Sequence, residues 1–285
     1  VPTDLSSAES APSQKRRRSA RHIIRSSDLQ ITRSETIRSE TTPSQLPAYY
    51  TALLARYGPQ NWWPAQSRFE VIVGAYLTQN TNWSNVEKAL FNLRRARKLT
   101  ISAMREAPID ELEALVRPSG YFRQKARNLK AFVAFLDRQY SGSLTRMFAQ
   151  PTKKLRAELL ELNGVGPETA DSILLYAGNH PVFVVDAYTR RVLFRHGIIG
   201  QKTNYEEIRS MIEHAISSSE AESLVAQNAV SDPRHPVSRM SSSVRSALAQ
   251  HYNELHALIV RVGNHYCRTK SICEGCPLQS FFKNC

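Results

Sequence analysis

The sequence predicts an all-α protein, on three observations. From Leu46 onward, apolar residues recur at i, i+3, i+4 in segment after segment. Only one short stretch, "PVFVVD" (Pro181 to Asp186), resembles a strand. With 41% hydrophobic residues in a chain of 285, there is enough apolar material for one large or two ordinary domains with buried cores.

Residues 1–45 are rich in Ser, Thr and Arg and poor in aromatics, which reads as a disordered basic tail. Its segment "KRRRSARHIIR" (Lys15 to Arg25) suits a nuclear signal, a non-specific DNA-binding arm or a merely solvated tail. Helical spacing then begins. Phe69, Ile72, Val73, Tyr76 and Leu77 line one face; Leu129, Phe132, Val133 and Leu136 line another. Leu155, Leu159 and Leu162 follow, then Ala170, Ile173, Leu174 and Ala177, and finally Leu255, Leu258, Ile259 and Val262. Ser217 to Ser246 breaks the rhythm: it is Ser-rich, contains Pro233 and Pro236, and reads as a long exposed insertion.

The formal charge is +13. Residues 1–45 hold eight Lys/Arg and five Asp/Glu, a net of +3, so the remaining 240 carry 30 − 20 = +10. The excess therefore belongs mainly to the foldable part. A basic globular body suits a polyanion, nucleic acid first, although ribosomal-type or membrane-surface binding gives the same balance. No run of eighteen apolar residues exists to span a membrane. The first residues lack the charged-then-apolar pattern of a secretory signal, so an intracellular protein is expected, in the cytoplasm or nucleoid, or the nucleus in a eukaryote.

The stretch "LELNGVGPETADSILLYA" (Leu160 to Ala177) reads as helix, tight turn, helix. Gly164 and Gly166 give the turn backbone freedom and leave no side chain to hold a ligand away. Such a turn, here Gly164, Val165 and Gly166, can press its amides onto a phosphate at a helix N-terminus, or can be an ordinary glycine-capped connection. Twenty residues after Gly166 comes Asp186 in "FVVDAYTRRVLFR", which taken alone suits a helix N-cap.

Together, "LNGVGPETAD" and "VVDAYTRR" resemble the helix–hairpin–helix DNA glycosylase superfamily of the endonuclease III type. The resemblance covers roughly Leu46 to Cys285 apart from the insertion. It implies two helical domains with a DNA-binding cleft between them. One is a six-helix domain over 64–183 that contains the hairpin; the other comprises 46–63 and 184–285 and carries a C-terminal iron–sulfur loop. It also implies that the hairpin holds the DNA backbone and that Asp186 is the catalytic carboxylate. Gln79, in "GAYLTQNTNW", matches the glutamine that fills the space left by an extruded base, though it also suits a helix end. Tyr121, in "GYFRQKARNL", is nearest to the wedge on the opposite strand, and also suits a core aromatic. Trp62, Trp63, Tyr76 and Trp83 could stack on a base, but most buried aromatics are simply core, and none of the four is taken as a site residue.

All four cysteines lie in the last nineteen residues: Cys267, Cys273, Cys276 and Cys285. A cluster of this kind in an intracellular chain points to a metal rather than disulfides, and four thiolates suit zinc or a 4Fe–4S cluster alike. The resemblance implies the 4Fe–4S cluster, although the intervening residues here number five, two and eight where the family's usual pattern is six, two and five.

Glu168 occupies the position at which the family's strand-cleaving members carry a lysine. That amine attacks the sugar and forms an imine, which a carboxylate cannot do. The resemblance is accordingly closest to the endonuclease III-related 3-methyladenine glycosylases. It implies a monofunctional, monomeric enzyme on double-stranded DNA containing a damaged base, an alkylated purine first. Two alternatives stand beside it: a bifunctional glycosylase/lyase in which another lysine such as Lys125 is the nucleophile, and a non-catalytic, metal-stabilised DNA-binding protein.

Overall fold

The computed structural model describes residues 42–217 and 237–282. The tail expected over 1–45 lies outside these residues except for 42–45, where Pro43–Gln45 form a 3-10 turn leading directly into helix.

Twelve α-helices follow among the described residues: α1 (Leu46–Tyr57), α2 (Arg68–Thr78), α3 (Trp83–Arg95), α4 (Ile101–Glu106), α5 (Ile109–Val116), α6 (Phe122–Tyr140), α7 (Leu144–Phe148), α8 (Thr152–Leu160), α9 (Pro167–Ser172), α10 (Ala187–Arg195), α11 (Tyr205–Ser217) and α12 (Ala247–His265). Side-chain oxygens fix many of their starts. Ser67 accepts from the Glu70 amide, Asn82 from Asn85, Thr100 from Ala103, Ser143 from Arg146 and Ser246 from Ala249. Glu70 reaches back to the Gln66 amide, which closes a box at the start of α2.

The helices pack in two sets. Helices α2 to α9 pack on one another, with α2 and α6 central, while α1, α10 and α11 pack around α12. A π-helical turn, Ile173–Ala177, continues α9 and touches both α2 and α12. It is buried throughout, and its tyrosine, Tyr176, is 2% exposed. Large side chains fill both sets, Tyr76 and Phe132 in one, Tyr50, Phe183 and Tyr252 in the other.

Two expectations change. The stretch Pro181 to Asp186 is extended but is no strand, and no strand occurs among the described residues. It has no ladder partner because side chains take its amides: Phe183 N donates to Glu213 Oε1 at 2.9 Å, and Val185 N to the Tyr205 hydroxyl at 3.3 Å. The insertion expected over 217–246 is also shorter than its composition implies. Ser217 still belongs to α11, and 237–246 fold back onto the chain. Met240 is 6% exposed and its amide donates to Ala65 O, while the Ser238 hydroxyl donates to Trp63 O. Polar serines here satisfy buried backbone rather than solvent. Residues 218–236 of the expected insertion lie outside the described residues.

Candidate DNA-binding face and active site

The turn between α8 and α9 uses its two glycines differently. Gly164 has φ = 78°, the left-handed region, and a Cβ there would lie 2.0 Å from Asn128 Nδ2. Asn128 is buried on α6, and its Oδ1 accepts from Gln124 Nε2 at 2.8 Å. Gly166 is extended, with φ = −94°, so its backbone would suit any residue. A Cβ added to Gly166 meets nothing within 4 Å and would project into open space. Val165 between them is buried, which leaves only its backbone for a ligand.

Gln79, at the end of α2, is bound to this turn. Its Nε2 donates to Gly164 O at 2.7 Å and to Thr169 Oγ1 at 2.9 Å. Tyr121 is 73% exposed at φ = 46°, immediately before α6. It is not the core aromatic that its residue type allows. Behind both stands Lys125, 2% exposed, whose Nζ donates to Leu77 O at 2.9 Å and Ser119 O at 2.7 Å. Burial lowers its pKa to about 8. One buried amine thus ties the end of α2 to the turn that presents Tyr121.

Asp186 is the N-cap of α10, and its Oδ1 accepts from Thr189 N at 2.7 Å. The helix-cap reading is therefore correct, and it leaves Oδ2 for other work. His256 of α12 places Nε2 3.7 Å from that oxygen. The other ring nitrogen, Nδ1, lies 2.5 Å from the Tyr176 hydroxyl. Tyr205 connects the same region to the hairpin: its hydroxyl accepts from Val185 N and donates to Asp171 Oδ2 at 2.9 Å. Asp171, on α9, is fully buried and is gripped by both ends of the Arg156 guanidinium, at 2.7 and 3.2 Å.

Glu168 stands on the first turn of α9. Solvent reaches it, yet protein crowds its carboxyl. That crowding first, and the Asp186 charge second, push its pKa up to about 8. The two carboxyls therefore lie close enough for their charges to interact, and Glu168 holds its proton near neutrality.

Three tryptophans gather nearby. Ring centroids of Trp62 and Trp63 are 4.9 Å apart, those of Trp62 and Trp83 5.0 Å, and Trp63 lies 5.2 Å from Tyr176. Trp63 is buried, while Trp62 and Trp83 are half-buried. Tyr76 is fully buried and belongs to the core. Buried Glu254 accepts from the Gln60 amide at 2.6 Å, and burial raises its carboxyl to about 7.

The cysteine loop packs on α10. Arg191 Nε donates to Cys267 O at 2.6 Å, Arg195 Nη1 approaches Cys267 Sγ at 3.5 Å, and Arg195 also donates to Arg268 O and Thr269 O. Burial raises the Cys276 thiol, and Cys276 lies close enough to Cys267 for their charges to interact. Cys273, on the same loop, is disulfide-bonded, contrary to the expectation that the cysteines avoid disulfides, and Cys285 lies outside the described residues. No three candidate ligands are gathered into a closed metal site among the described residues. Cys267 and Cys276 are free thiols nine positions apart, with Arg195 beside Cys267, and such a donor set fits a sulfur-ligated group once the Cys273 disulfide is reduced.

The pattern missed several residues. His256, Tyr176, Tyr205 and Asn128 sit on ordinary helical faces that no local signal marks, and Lys125, which the sequence offered only as an alternative nucleophile, is a buried tie.

Helices in two sets, a glycine turn between α8 and α9, and an aspartate capping the helix beyond it define the helix–hairpin–helix class of DNA-acting proteins. The family described as HhH-GPD superfamily base excision DNA repair protein matches residues 73–217, and the chain belongs to it. It is a DNA N-glycosylase of that family. A Methanocaldococcus jannaschii protein, whose name provisionally assigns it to the DNA repair glycosylases, is 41% identical over 235 residues, 81% of this chain and 93% of that protein. The H. pylori 3-methyladenine DNA glycosylase MagIII, solved bound to 1,N6-ethenoadenine, is similar with a TM-score of 0.64 and 27% identity, over 79% of this chain and 98% of that one. A non-covalent endonuclease III–DNA complex has the same fold, with a TM-score of 0.64 at 21% identity, over 85% of this chain and 96% of that one. No described helix is long and apolar enough to cross a membrane.

Proposed function

We propose that the chain is a monofunctional, monomeric glycosylase that removes an alkylated purine from double-stranded DNA. Glu168 carries this reading: a carboxyl faces Asp186 where an imine-forming amine would have to stand. Lys125 is a poor substitute, because its amine is buried and already donates to two carbonyls.

On this reading Gly164, Val165 and Gly166 meet the phosphate backbone, with open space in front of Gly166. Tyr121 wedges the duplex from its exposed position, and Gln79 fills the vacated space beside the hairpin. The extruded base stacks on the half-buried faces of Trp62 and Trp83. A cationic alkylated purine is favoured there by the aromatic faces. It also leaves with little acid assistance. As the C1′–N bond breaks, the base takes the electron pair and positive charge grows on the sugar. Ionised Asp186 opposes that charge, and water adds to C1′. With the Cys273 disulfide reduced, Cys267, Cys273, Cys276 and Cys285 would hold a 4Fe–4S cluster, which would cross-link the loop that braces α10 through Arg191 and Arg195. Zinc is the other sulfur-ligated occupant that iron and zinc analysis would detect.

Duplexes bearing single alkylated, oxidised, deaminated or mismatched bases test the reading. Free alkylated purine should appear with an intact abasic strand that breaks only in alkali. Efficient strand scission without alkali, together with a borohydride-trapped adduct, would overturn it.

A further inference from the structure

We infer that His256 is a positioning residue for Asp186: a buried, neutral imidazole whose Nε2–H, fixed by the Tyr176 hydroxyl, aims the free carboxylate oxygen. The inference rests on the reading of Asp186 as the catalytic carboxylate.

Three elements from both packing sets meet at this point: α12 supplies His256, the π-helical turn supplies Tyr176, and the cap of α10 supplies Asp186. His256 is 7% exposed, and its ring is held against Tyr176 and Phe183, with centroids 5.9 and 6.1 Å away. A phenol beside Nδ1 is both the natural donor and a group that stays protonated. Burial, with the Asp186 charge second, holds Tyr176 well above its ordinary pKa. Nδ1 therefore accepts, and the ring proton resides on Nε2. Burial also lowers the imidazole's own pKa, against the opposing pull of Asp186. The ring is thus a neutral donor rather than a counter-ion.

Nε2 has no hydrogen-bond partner among the described residues, and the atom it faces is Asp186 Oδ2 at 3.7 Å. That separation is longer than a hydrogen bond. A contraction of less than about one ångström when DNA seats in the recess would complete it, as active-site contacts often tighten only in the complex. Oδ1 is already fixed by Thr189 N, so a second donor on Oδ2 would lock the carboxylate plane. A neutral donor does this without cancelling the charge that must meet the sugar cation. An arginine in its place would cancel it. The titratable groups facing Asp186 are Glu168 on α9, Tyr176 on the π-helical turn, Tyr188 on α10 and His256 on α12. Among them, ionised Glu168 would destabilise the carboxylate, and the His256 donor, once in contact, would stabilise it.

Single-turnover release of 3-methyladenine and 7-methylguanine from methylated duplex DNA, followed against pH, tests this. His256→Leu should lose on the order of ten- to a hundredfold in rate, with DNA affinity and melting temperature near wild type. Its acid limb should move to higher pH. His256→Gln, which replaces Nε2–H with an amide N–H of similar reach, should recover most of the rate. Tyr176→Phe, which frees the tautomer, should fall between them. A folded His256→Leu with wild-type rate and acid limb would overturn the inference. So would a loss that Gln does not restore and that leaves the acid limb in place, since that pattern marks a packing role. Asp186→Asn in the same assay separates the two levels: if it remains active, the assignment of Asp186 itself has failed.

Discussion

Around Gly164 the contacts run mostly to backbone, whereas around Asp186 they run between titratable side chains. Gln79 donates to a carbonyl, Lys125 spans two carbonyls, and Asn128 packs against the bare Cα of a glycine. Within the Asp186 recess lie Glu168, Tyr176, Tyr188 and His256, each with its pKa displaced by burial. The difference follows from the two tasks. A face that receives a polyanion gains from fixed amides and open space. A recess that stabilises a transient cation needs one persistent negative charge, and the groups around it must stay neutral to leave that charge unopposed.

If the contrast holds, changes in the recess should alter rate and changes at the turn should alter binding. The largest effect is expected from Asp186→Asn. It keeps the shape of the side chain and removes the charge, so base release should fall on the order of a hundredfold or more while DNA affinity holds or rises. A comparable loss of affinity, read by fluorescence anisotropy, would break the contrast.

The two glycines sharpen it from the other side. Gly166→Val should fold normally, because the backbone is extended and the added Cβ has room. Its affinity for duplex DNA should nevertheless drop on the order of tenfold, since the side chain occupies the space a phosphate would enter. Gly164→Val should instead lose about 1–3 kcal/mol of stability in denaturant titration, through its left-handed backbone and the clash with Asn128. Equal behaviour of the two variants would show that the turn acts only as a connection.

The smallest effect concerns Glu168→Gln. A carboxyl raised from 4.5 to about 8 binds a proton in the folded protein that the unfolded chain has released. Its contribution to stability is therefore lost as pH rises from 4.5 through about 8. Gln carries no such penalty. The variant should melt roughly 1–3 °C above wild type near pH 9, and the two should converge near pH 4. A difference that grows toward acid would mean that the Glu168 carboxyl is held charged rather than neutral.

Much of this was legible from residue order alone. Helical periodicity predicted the all-α class because amphipathic spacing is a local property, read within a few turns of chain. The hairpin was legible for the same reason: two glycines within three residues between apolar runs, followed by Pro167 and Glu168, leave few local conformations. Asp186 announced itself as a cap, and the cap is real. Composition misled where a local rule met a tertiary demand. "PVFVVD" has the residues of a strand, but its amides are claimed by Glu213 and Tyr205 from a distant helix. The serines from Ser238 to Ser243 suit a solvated loop, yet Ser238 bonds to backbone at Trp63.

By itself, then, the sequence determined the helices, the turn and the identity of the carboxyl groups at 168 and 186, because each is written within a single segment. Only the tertiary structure decided which side chains surround them. His256 comes from a helix 70 residues beyond Asp186, and Tyr176 from a π-helical turn that both packing sets share. Lys125 becomes a buried tie only because α2 ends beside it. Burial and charge proximity are sums over elements distant in the chain, and no local spacing encodes them.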